Sequence, residues 1–367
     1  MTATDTDPTD PSAPGGTEAY ADKIFTALLG TMETFSLYLG ERLGWLAALA
    51  AEPLTATELA DRTATVERYA VEWLEMQAVY GNVVVTDGGE DRADRRYAMP
   101  PEAVEVLTDE HSLSYLGALP RMFAAVGLHL DDLLAVYRSG GGVSWAQLGA
   151  DARESQAAIN RPWFESELGP ALAGVPDIHE VLSAPGSRIA DVGCGEGWSS
   201  LALARAYPEA TVTGIDVDEP SVAAARAHAE EAGLSDRVSF PDPDAGALDQ
   251  PDAFDAAFVF EALHDMPQPV EVLSAIRWAV RPHGAVVVMD EAVADEFTAP
   301  GDVVERAMYG YSTLICLPDG LSSSPSVGTG TVMRRSQLTA YATEAGFAGV
   351  DVLPIEGFAS FRFYRLR

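Results

Sequence analysis

Positive charge is scarce in this chain. Its 367 residues include 23 basic and 56 acidic side chains, which gives a formal net charge of −33, and Lys23 is the only lysine. A surface with such an excess of negative charge repels phosphate groups and anionic lipids. We therefore expect no nucleic-acid partner and no membrane partner.

Cysteine and long hydrophobic runs are also scarce. Cys194 and Cys316 are the only cysteines, which excludes a disulfide framework and a metal site built from cysteines. No apolar run approaches the roughly 18 residues that span a bilayer. Residues 1–18 are rich in Asp, Thr, Pro and Gly, where a secretory signal would be basic and then apolar. We expect a disordered leader over 1–18 and a soluble, cytoplasmic protein, and we assign no residue as a metal ligand.

Residues 19–110 predict a small domain of helices and one hairpin. Apolar residues recur at helical spacing through its first half. Thr55-Ala-Thr-Glu58 is a capping box, and Gly81 is typical of a helix end. The β-type runs 83–85 and 96–99 flank turn residues and predict a hairpin. Two helices followed by a hairpin indicate a mostly α-helical winged-helix domain.

A winged helix often binds DNA, but the charge of this one argues against that function. Between Thr55 and Gly81 there are five acidic residues and two arginines. Neutralisation of phosphates supplies most of the non-specific affinity for DNA, and this segment cannot provide it. We expect a role in packing and in forming a homodimer, and a transcription regulator is the least favoured alternative.

The remainder of the chain predicts a helical linker and a larger α/β domain. Residues 111–180 predict mostly helices, and from 181 to 367 short β-branched runs alternate with helix-length segments, as in parallel sheets covered on both faces. Residues 350–355 and 359–366 predict an antiparallel hairpin at the sheet edge. We expect a Rossmann-like sheet of seven strands, six parallel and one antiparallel. The first five strands are predicted at 188–192, 211–215, 237–240, 256–260 and 285–289.

A glycine-rich motif follows the first of these strands. Ile189-Ala-Asp-Val-Gly-Cys-Gly-Glu-Gly197 places three glycines where a strand leads into a helix, so the backbone can bend tightly and approach a ligand. The spacing fits the G-x-G-x-x-G pattern of dinucleotide sites poorly. Asp191 would also place a negative charge beside phosphates. The motif therefore favours a cationic ligand.

Further acidic residues follow the next two strands in order. Asp216 ends the second strand, where a carboxylate can accept both hydroxyls of a ribose. Asp244 follows the third strand and can accept from the exocyclic amine of adenine. Each acid alone is an ordinary turn residue. Three acids at successive strand ends favour a nucleoside site.

The order of these motifs and the terminal hairpin resemble the class I S-adenosylmethionine-dependent methyltransferases. The nearest likeness is to small-molecule O-methyltransferases with a winged-helix N-terminal domain, in which that domain forms the dimer. The resemblance rests on motifs over 187–367 and on architecture alone over 19–110. It implies S-adenosyl-L-methionine as the cofactor. It also implies these cofactor-binding residues: Asp191, Gly193, Cys194, Gly195, Asp216, Val217, Asp244, Ala245 and Phe260.

A candidate for catalysis follows the fourth strand, in Phe260-Glu-Ala-Leu-His-Asp-Met266. Residues at the carboxyl ends of parallel strands face the ligand crevice. An imidazole titrates near neutrality, so His264 can take a proton from an acceptor hydroxyl. The resemblance implies the same role for His264 and implies that Asp290, at the end of the fifth strand, holds it. The alternative is a histidine that only caps the next helix.

Residues 292–335 form a longer connection than a strand and a helix require. We expect a wall and lid of the acceptor pocket there, with a peripheral insertion as the alternative. The sequence thus predicts a two-domain enzyme that methylates a hydroxyl of a small molecule, such as a secondary metabolite. Two alternatives within the same fold are methylation of nitrogen or carbon, and a cofactor-retaining enzyme without methyl transfer, such as a pericyclase.

Overall fold

The computed structural model describes residues 16–89, 91–242 and 246–367. Of the predicted leader, residues 1–15 lie outside the described residues, and so do Asp244 and Ala245. The described chain forms two compact units, which divide between Ala124 and Ala125. No helix of the described part is long and apolar enough to cross a membrane.

The first unit consists of helices and a two-stranded antiparallel sheet. A buried cluster that includes Trp45, Leu59 and Leu74 forms its core. The capping box predicted at Thr55 and Glu58 is present, and Gly81 ends its helix with a φ of 86°. The elements are α1 (Thr17–Arg42), α2 (Trp45–Ala51), α3 (Ala56–Thr63), α4 (Glu67–Tyr80), β1 (Val84–Asp87), β2 (Arg96–Ala98) and α5 (Pro101–Thr108), and the division falls within α6 (Leu119–Leu128).

Helix α1 buries very little of its apolar surface in the single chain. Only Ser36 and Gly40 are buried, and the indole of Trp73 donates a hydrogen bond to the Ser36 carbonyl oxygen at 2.8 Å. The apolar stripe along the helix stays exposed, with Phe25 at 61% and Met32 at 56% exposure. An apolar face of this extent on one helix is unusual for a surface in contact with water.

The second unit alternates helices and strands. Two π-helical turns, Phe164–Leu168 and Ser312–Cys316, continue α8 and α14 into the helices that follow them. The elements are α7 (Leu130–Ser139), α8 (Trp145–Trp163), α9 (Gly169–Ala173), α10 (Pro176–Ser183), β3 (Arg188–Val192), α11 (Trp198–Ala206), β4 (Thr211–Ile215), α12 (Glu219–Glu231), β5 (Val238–Ser239), β6 (Phe254–Phe260), α13 (Pro269–Ala279), β7 (Val280–Glu291), α14 (Val303–Tyr311), α15 (Leu317–Gly320), α16 (Arg335–Glu344), β8 (Val350–Val352) and β9 (Phe361–Leu366).

The strands of this unit form one sheet in the order β5-β4-β3-β6-β7-β9-β8. Strand β9 is antiparallel to both of its neighbours, and the strands from β5 to β7 pair in parallel. The predicted sheet of six parallel strands and one antiparallel strand is therefore confirmed. Every residue of the central strand β6 is buried, as expected where helices cover both faces of a sheet.

Within the segment 292–335, residues 303–320 are continuously helical, and the stretches on either side of them are irregular. Asp302 caps α14 by accepting a hydrogen bond from the Glu305 amide at 2.9 Å. The buried carboxylate of Glu305 pairs with Arg334 at 2.9 Å and accepts the Ala294 amide at 3.0 Å. These contacts tie α14 to both ends of the segment.

Candidate active site

The glycine motif turns the chain from β3 into α11. Gly193, Gly195 and Gly197 all have positive φ angles, of 78°, 50° and 85°. A Cβ atom at Gly193 would lie 2.5 Å from the Cβ of Ala262, so no larger side chain fits there. The turn therefore requires glycine, and it holds the backbone open as a shallow cradle.

Asp191 lies near the end of β3, just before this cradle, and is fully buried. Its Oδ2 accepts hydrogen bonds from the hydroxyls of Ser199 and Ser200, each at 2.6 Å. Its Oδ1 has no hydrogen-bond partner among the described residues. Burial raises the pKa of Asp191 to about 6, although the two hydroxyls oppose the shift. A buried carboxylate oxygen without a donor suits a ligand that brings a donor or a positive charge.

Asp216 holds the cradle from the neighbouring strand. Its Oδ2 accepts the Gly195 amide at 2.7 Å and its Oδ1 accepts the Asp218 amide at 2.9 Å. Burial raises the pKa of Asp216 above its usual value. Val217, the next residue, is 90% exposed, so it offers an apolar surface beside the cradle.

A cavity of about 100 Å³ opens above the cradle. The glycine loop forms one side, helix α8 another and the end of β6 a third. Gly193, Cys194, Gly195 and Phe260, all predicted to bind the cofactor, line this cavity. The structure therefore brings the predicted glycine-loop residues and Phe260 together around one space.

Glu261, at the end of β6, also lines this cavity and was not predicted as a site residue. Its Oε2 accepts from the Asn160 amide at 2.6 Å and its Oε1 from the Gln156 amide at 3.0 Å. The backbone of Glu261 has a φ of 49°, which is uncommon for a residue with a side chain. Burial raises its pKa to about 7, although Asn160 opposes the shift. An acid directly after a strand is the signal that already pointed to Asp216, and it could have identified Glu261.

His264 and Asp290 are adjacent, as predicted. The buried imidazole places Nδ1 at 2.9 Å from Asp290 Oδ1 and at 3.3 Å from Glu291 Oε2. On the other side of the ring, Nε2 lies 3.4 Å from Asp265 Oδ1. The charges of these three carboxylates together set the protonation state of the imidazole.

The carboxylates stabilise the protonated form of His264. Burial alone would lower its pKa, but the charges of Asp265, Asp290 and Glu291 raise it well above the usual value. Burial opposes the ionised form of Asp290, yet the positive ring of His264 holds the pKa of that carboxyl below its usual value. Burial raises the pKa of Glu291 well above its usual value, and the charge of Asp290 adds to this shift. Sequence reasoning missed Glu291, although it directly follows Asp290.

Two sets of side chains around His264 have ligand atoms close enough to hold a metal ion. One set is His264 with Asp290 and Glu291, and the other is His264 with Asp265 and Cys316. In the first set Nδ1 already engages Asp290 in a hydrogen bond. Cys316 comes from the segment after α14, so this segment reaches the imidazole.

Comparisons with known proteins agree on one kind of enzyme. Residues 183–317 match a family model described as a methyltransferase domain. A ubiquinone biosynthesis O-methyltransferase of Stutzerimonas stutzeri (strain A1501) is 31% identical over 209 residues, which are 56% of this chain and 85% of that protein. A second relative matches over a shorter segment. The 27-O-demethylrifamycin SV methyltransferase of Amycolatopsis mediterranei (strain S699) is 38% identical over 106 residues, which are 29% of this chain and 39% of that protein.

Solved structures match over nearly the whole chain. The mitomycin 7-O-methyltransferase MmcR has a TM-score of 0.72 at 22% identity, over 96% of this chain and 99% of that one. Human N-acetylserotonin methyltransferase (ASMT), solved in complex with SAM, has a TM-score of 0.67 at 16% identity, over 97% of this chain and 99% of that one. At these identities the likeness is one of fold.

Proposed function

The chain belongs to the class I S-adenosylmethionine-dependent methyltransferases, and from that membership we propose that it methylates a hydroxyl oxygen of a small molecule with His264 as the general base. The observation that carries this proposal is the buried His264–Asp290 pair at 2.9 Å, next to the glycine cradle. The relatives named as O-methyltransferases support oxygen as the acceptor atom. The name of one relative, the rifamycin methyltransferase, supports a secondary metabolite as the acceptor.

The residues of the cradle fit the cofactor. When bound, S-adenosyl-L-methionine supplies a methyl group on a positively charged sulfur. The unpartnered Oδ1 of Asp191 and the glycine turn suit its methionyl end, where Cys194 and Phe260 also line the cavity. We assign the nucleoside contacts to Asp216 and Val217. The adenine contacts of Asp244 and Ala245 stay predictions, since both residues lie outside the described part of the chain.

In this proposal His264 removes the proton of the acceptor. Asp290 accepts the hydrogen on Nδ1, which fixes the ring and leaves Nε2 to take the proton from a hydroxyl. Alignment of the reactants contributes about 7–11 kcal/mol in well-oriented reactions, and general base catalysis adds roughly a hundredfold to ten-thousandfold. The main task of the chain is therefore to position the acceptor, and proton removal is the second task.

A substitution of His264 tests the role of the base. His264→Ala should lower turnover by about a hundredfold or more, while the dissociation constant for S-adenosylhomocysteine stays within about twofold. The assay would use a panel of hydroxylated aromatic compounds and identify the methylated products by mass spectrometry. Equal turnover in the variant would remove His264 from the mechanism. A product methylated on nitrogen or carbon would favour the alternative chemistry, and turnover without S-adenosylhomocysteine would favour an enzyme that retains the cofactor.

Two further assignments complete the proposal. The first unit would serve as a winged-helix dimerisation domain, which the helix pair α3–α4, the hairpin β1–β2 and the exposed stripe of α1 support. Residues 292–335 would form the wall and lid of the acceptor pocket, which the approach of Cys316 to His264 supports.

A further inference from the structure

Glu261 shares a cavity with the glycine loop but forms no direct ion pair with any described residue, although the charge of the nearby His264 ring favours its ionised form. It lines the same space as Gly193 and Gly195. None of the described cationic side chains forms an ion pair with Glu261, and Arg153, which lines the cavity, pairs instead with Asp218 at 3.5 Å. A carboxylate in such a place lacks the partner that buried charges normally have.

The donors that do reach Glu261 orient it without neutralising it. Asn160 and Gln156 lie one turn apart on α8, and each donates an amide hydrogen bond to a different carboxylate oxygen. Amide donors are neutral, so the negative charge remains. Each oxygen of an ionised carboxylate can accept a second hydrogen bond. The arrangement therefore presents a carboxyl group of fixed direction toward the cavity.

We propose that the Glu261 carboxylate binds the α-ammonium group of S-adenosyl-L-methionine. The ammonium of the amino-acid chain is the one primary cation that the cofactor brings to the glycine loop. The hydrogen bonds from the side-chain amides of Asn160 and Gln156 would fix the direction of this carboxylate. This assignment rests on the family membership of the chain and not on the role of His264, so a binding measurement separates the two.

The competing role for Glu261 is purely structural. Its hydrogen bonds could serve only to join the end of β6 to helix α8, with no contact to a ligand. If the role is structural, a substitution of Glu261 should weaken the binding of every cofactor fragment equally, or of none. If Glu261 contacts the ammonium, the substitution should weaken the binding only of ligands that carry the amino-acid chain.

Titration calorimetry with two ligands distinguishes these roles. S-Adenosylhomocysteine carries the amino-acid chain, whereas 5′-methylthioadenosine keeps the nucleoside and sulfur and lacks that chain. Glu261→Gln should lower the affinity for S-adenosylhomocysteine by about tenfold to a hundredfold at pH 8, as expected for a lost hydrogen bond between charged groups. Its affinity for 5′-methylthioadenosine should stay within about twofold of the unsubstituted protein. Glu356→Gln, at an exposed position that does not line this cavity, is the matched control and should change neither affinity.

The pH dependence of binding, measured first on the unsubstituted protein, gives a second test. With a pKa of about 7, Glu261 is mostly ionised at pH 8 and mostly neutral at pH 6, so the unsubstituted protein should bind S-adenosylhomocysteine about tenfold more tightly at pH 8. Glu261→Gln should reduce this difference. The other titratable groups that face Glu261 are His264, Asp265, Asp290, Glu291 and Tyr311. Equal affinity of both proteins for S-adenosylhomocysteine at pH 8, or an equal loss for both ligands, would overturn the proposal.

Discussion

At the scale of single residues, the site around His264 contains more acid than one imidazole can neutralise. Asp290 and Glu291 approach Nδ1 from one side, and Asp265 approaches Nε2 from the other. These charges raise the pKa of His264, so the ring becomes a neutral base only as the pH rises through that value. The proposed reaction should therefore accelerate from acidic to alkaline pH.

Asp290→Asn tests this electrostatic argument. Loss of one negative charge should lower the pKa of His264, so the acidic limb of the pH–rate profile should move to lower pH. Turnover at its maximum should also fall, by about tenfold or more, because the ring loses the partner that orients it. The measurement is kcat/KM against pH. Asp351→Asn, an exposed position in the hairpin of β8 and β9, should leave the profile in place, and an unmoved limb in Asp290→Asn would contradict the argument.

The family resemblance predicted that Asp290 holds His264, and the pairing of two neighbouring parallel strands explains why these residues meet. Phe260 of β6 pairs with Met289 of β7, which brings the residues after them to one place. Glu261 was missed, although it follows its strand directly as Asp216 does. The local sequence does not show that amides of α8, more than a hundred residues earlier, hold its side chain. The local sequence predicts such strand ends well, but it does not predict which helix packs against them.

At the scale of elements, local signals fixed several ends of helices and strands. Strands β3 and β4 have the predicted bounds, while β7 begins earlier than predicted and β5 is only two residues long. The bounds of a strand depend on its pairing with neighbouring strands, and the sequence of one strand does not contain this information. The helix α14 was missed, although Asp302 and Glu305 have the spacing of a helix start.

The capping box of α3 provides a prediction at this scale. Thr55 accepts the Glu58 amide at 3.2 Å, and Glu58 accepts the Thr55 amide at 2.9 Å. Thr55→Ala should lower the free energy of unfolding by about 1 kcal/mol, as for other N-cap substitutions. Urea denaturation followed by circular dichroism would measure this change. Thr57→Ala keeps the box and removes only an exposed hydrogen bond to Glu67, so a cost as large as that of Thr55→Ala would argue against the cap.

At the scale of the whole molecule, the exposed stripe of α1 predicts association of two chains. Phe25 and Met32 lie on this stripe and contribute little to the core of their own chain. Phe25→Glu combined with Met32→Glu should convert a dimer into a monomer with little loss of folding, because charges oppose burial of that face. Light scattering after size-exclusion chromatography would give the masses.

A matched substitution separates the stripe from general surface effects. Trp278 is an exposed apolar residue on α13, at 59% exposure, and Trp278→Glu should leave the mass unchanged. An unsubstituted chain that runs as a monomer, or a double variant that stays dimeric, would refute the assignment of the stripe.

The position of β9 has a consequence for how the protein is made on the ribosome. This strand follows every other strand along the chain, yet it lies between β7 and β8 in the sheet. During synthesis the long strand β7 therefore waits for seconds with one unpaired edge, and β8 has no place to join until the later strand emerges. Unpaired strand edges of this kind can pair with strands of other chains, so the unpaired edge of β7 is the surface that a chaperone would cover during synthesis.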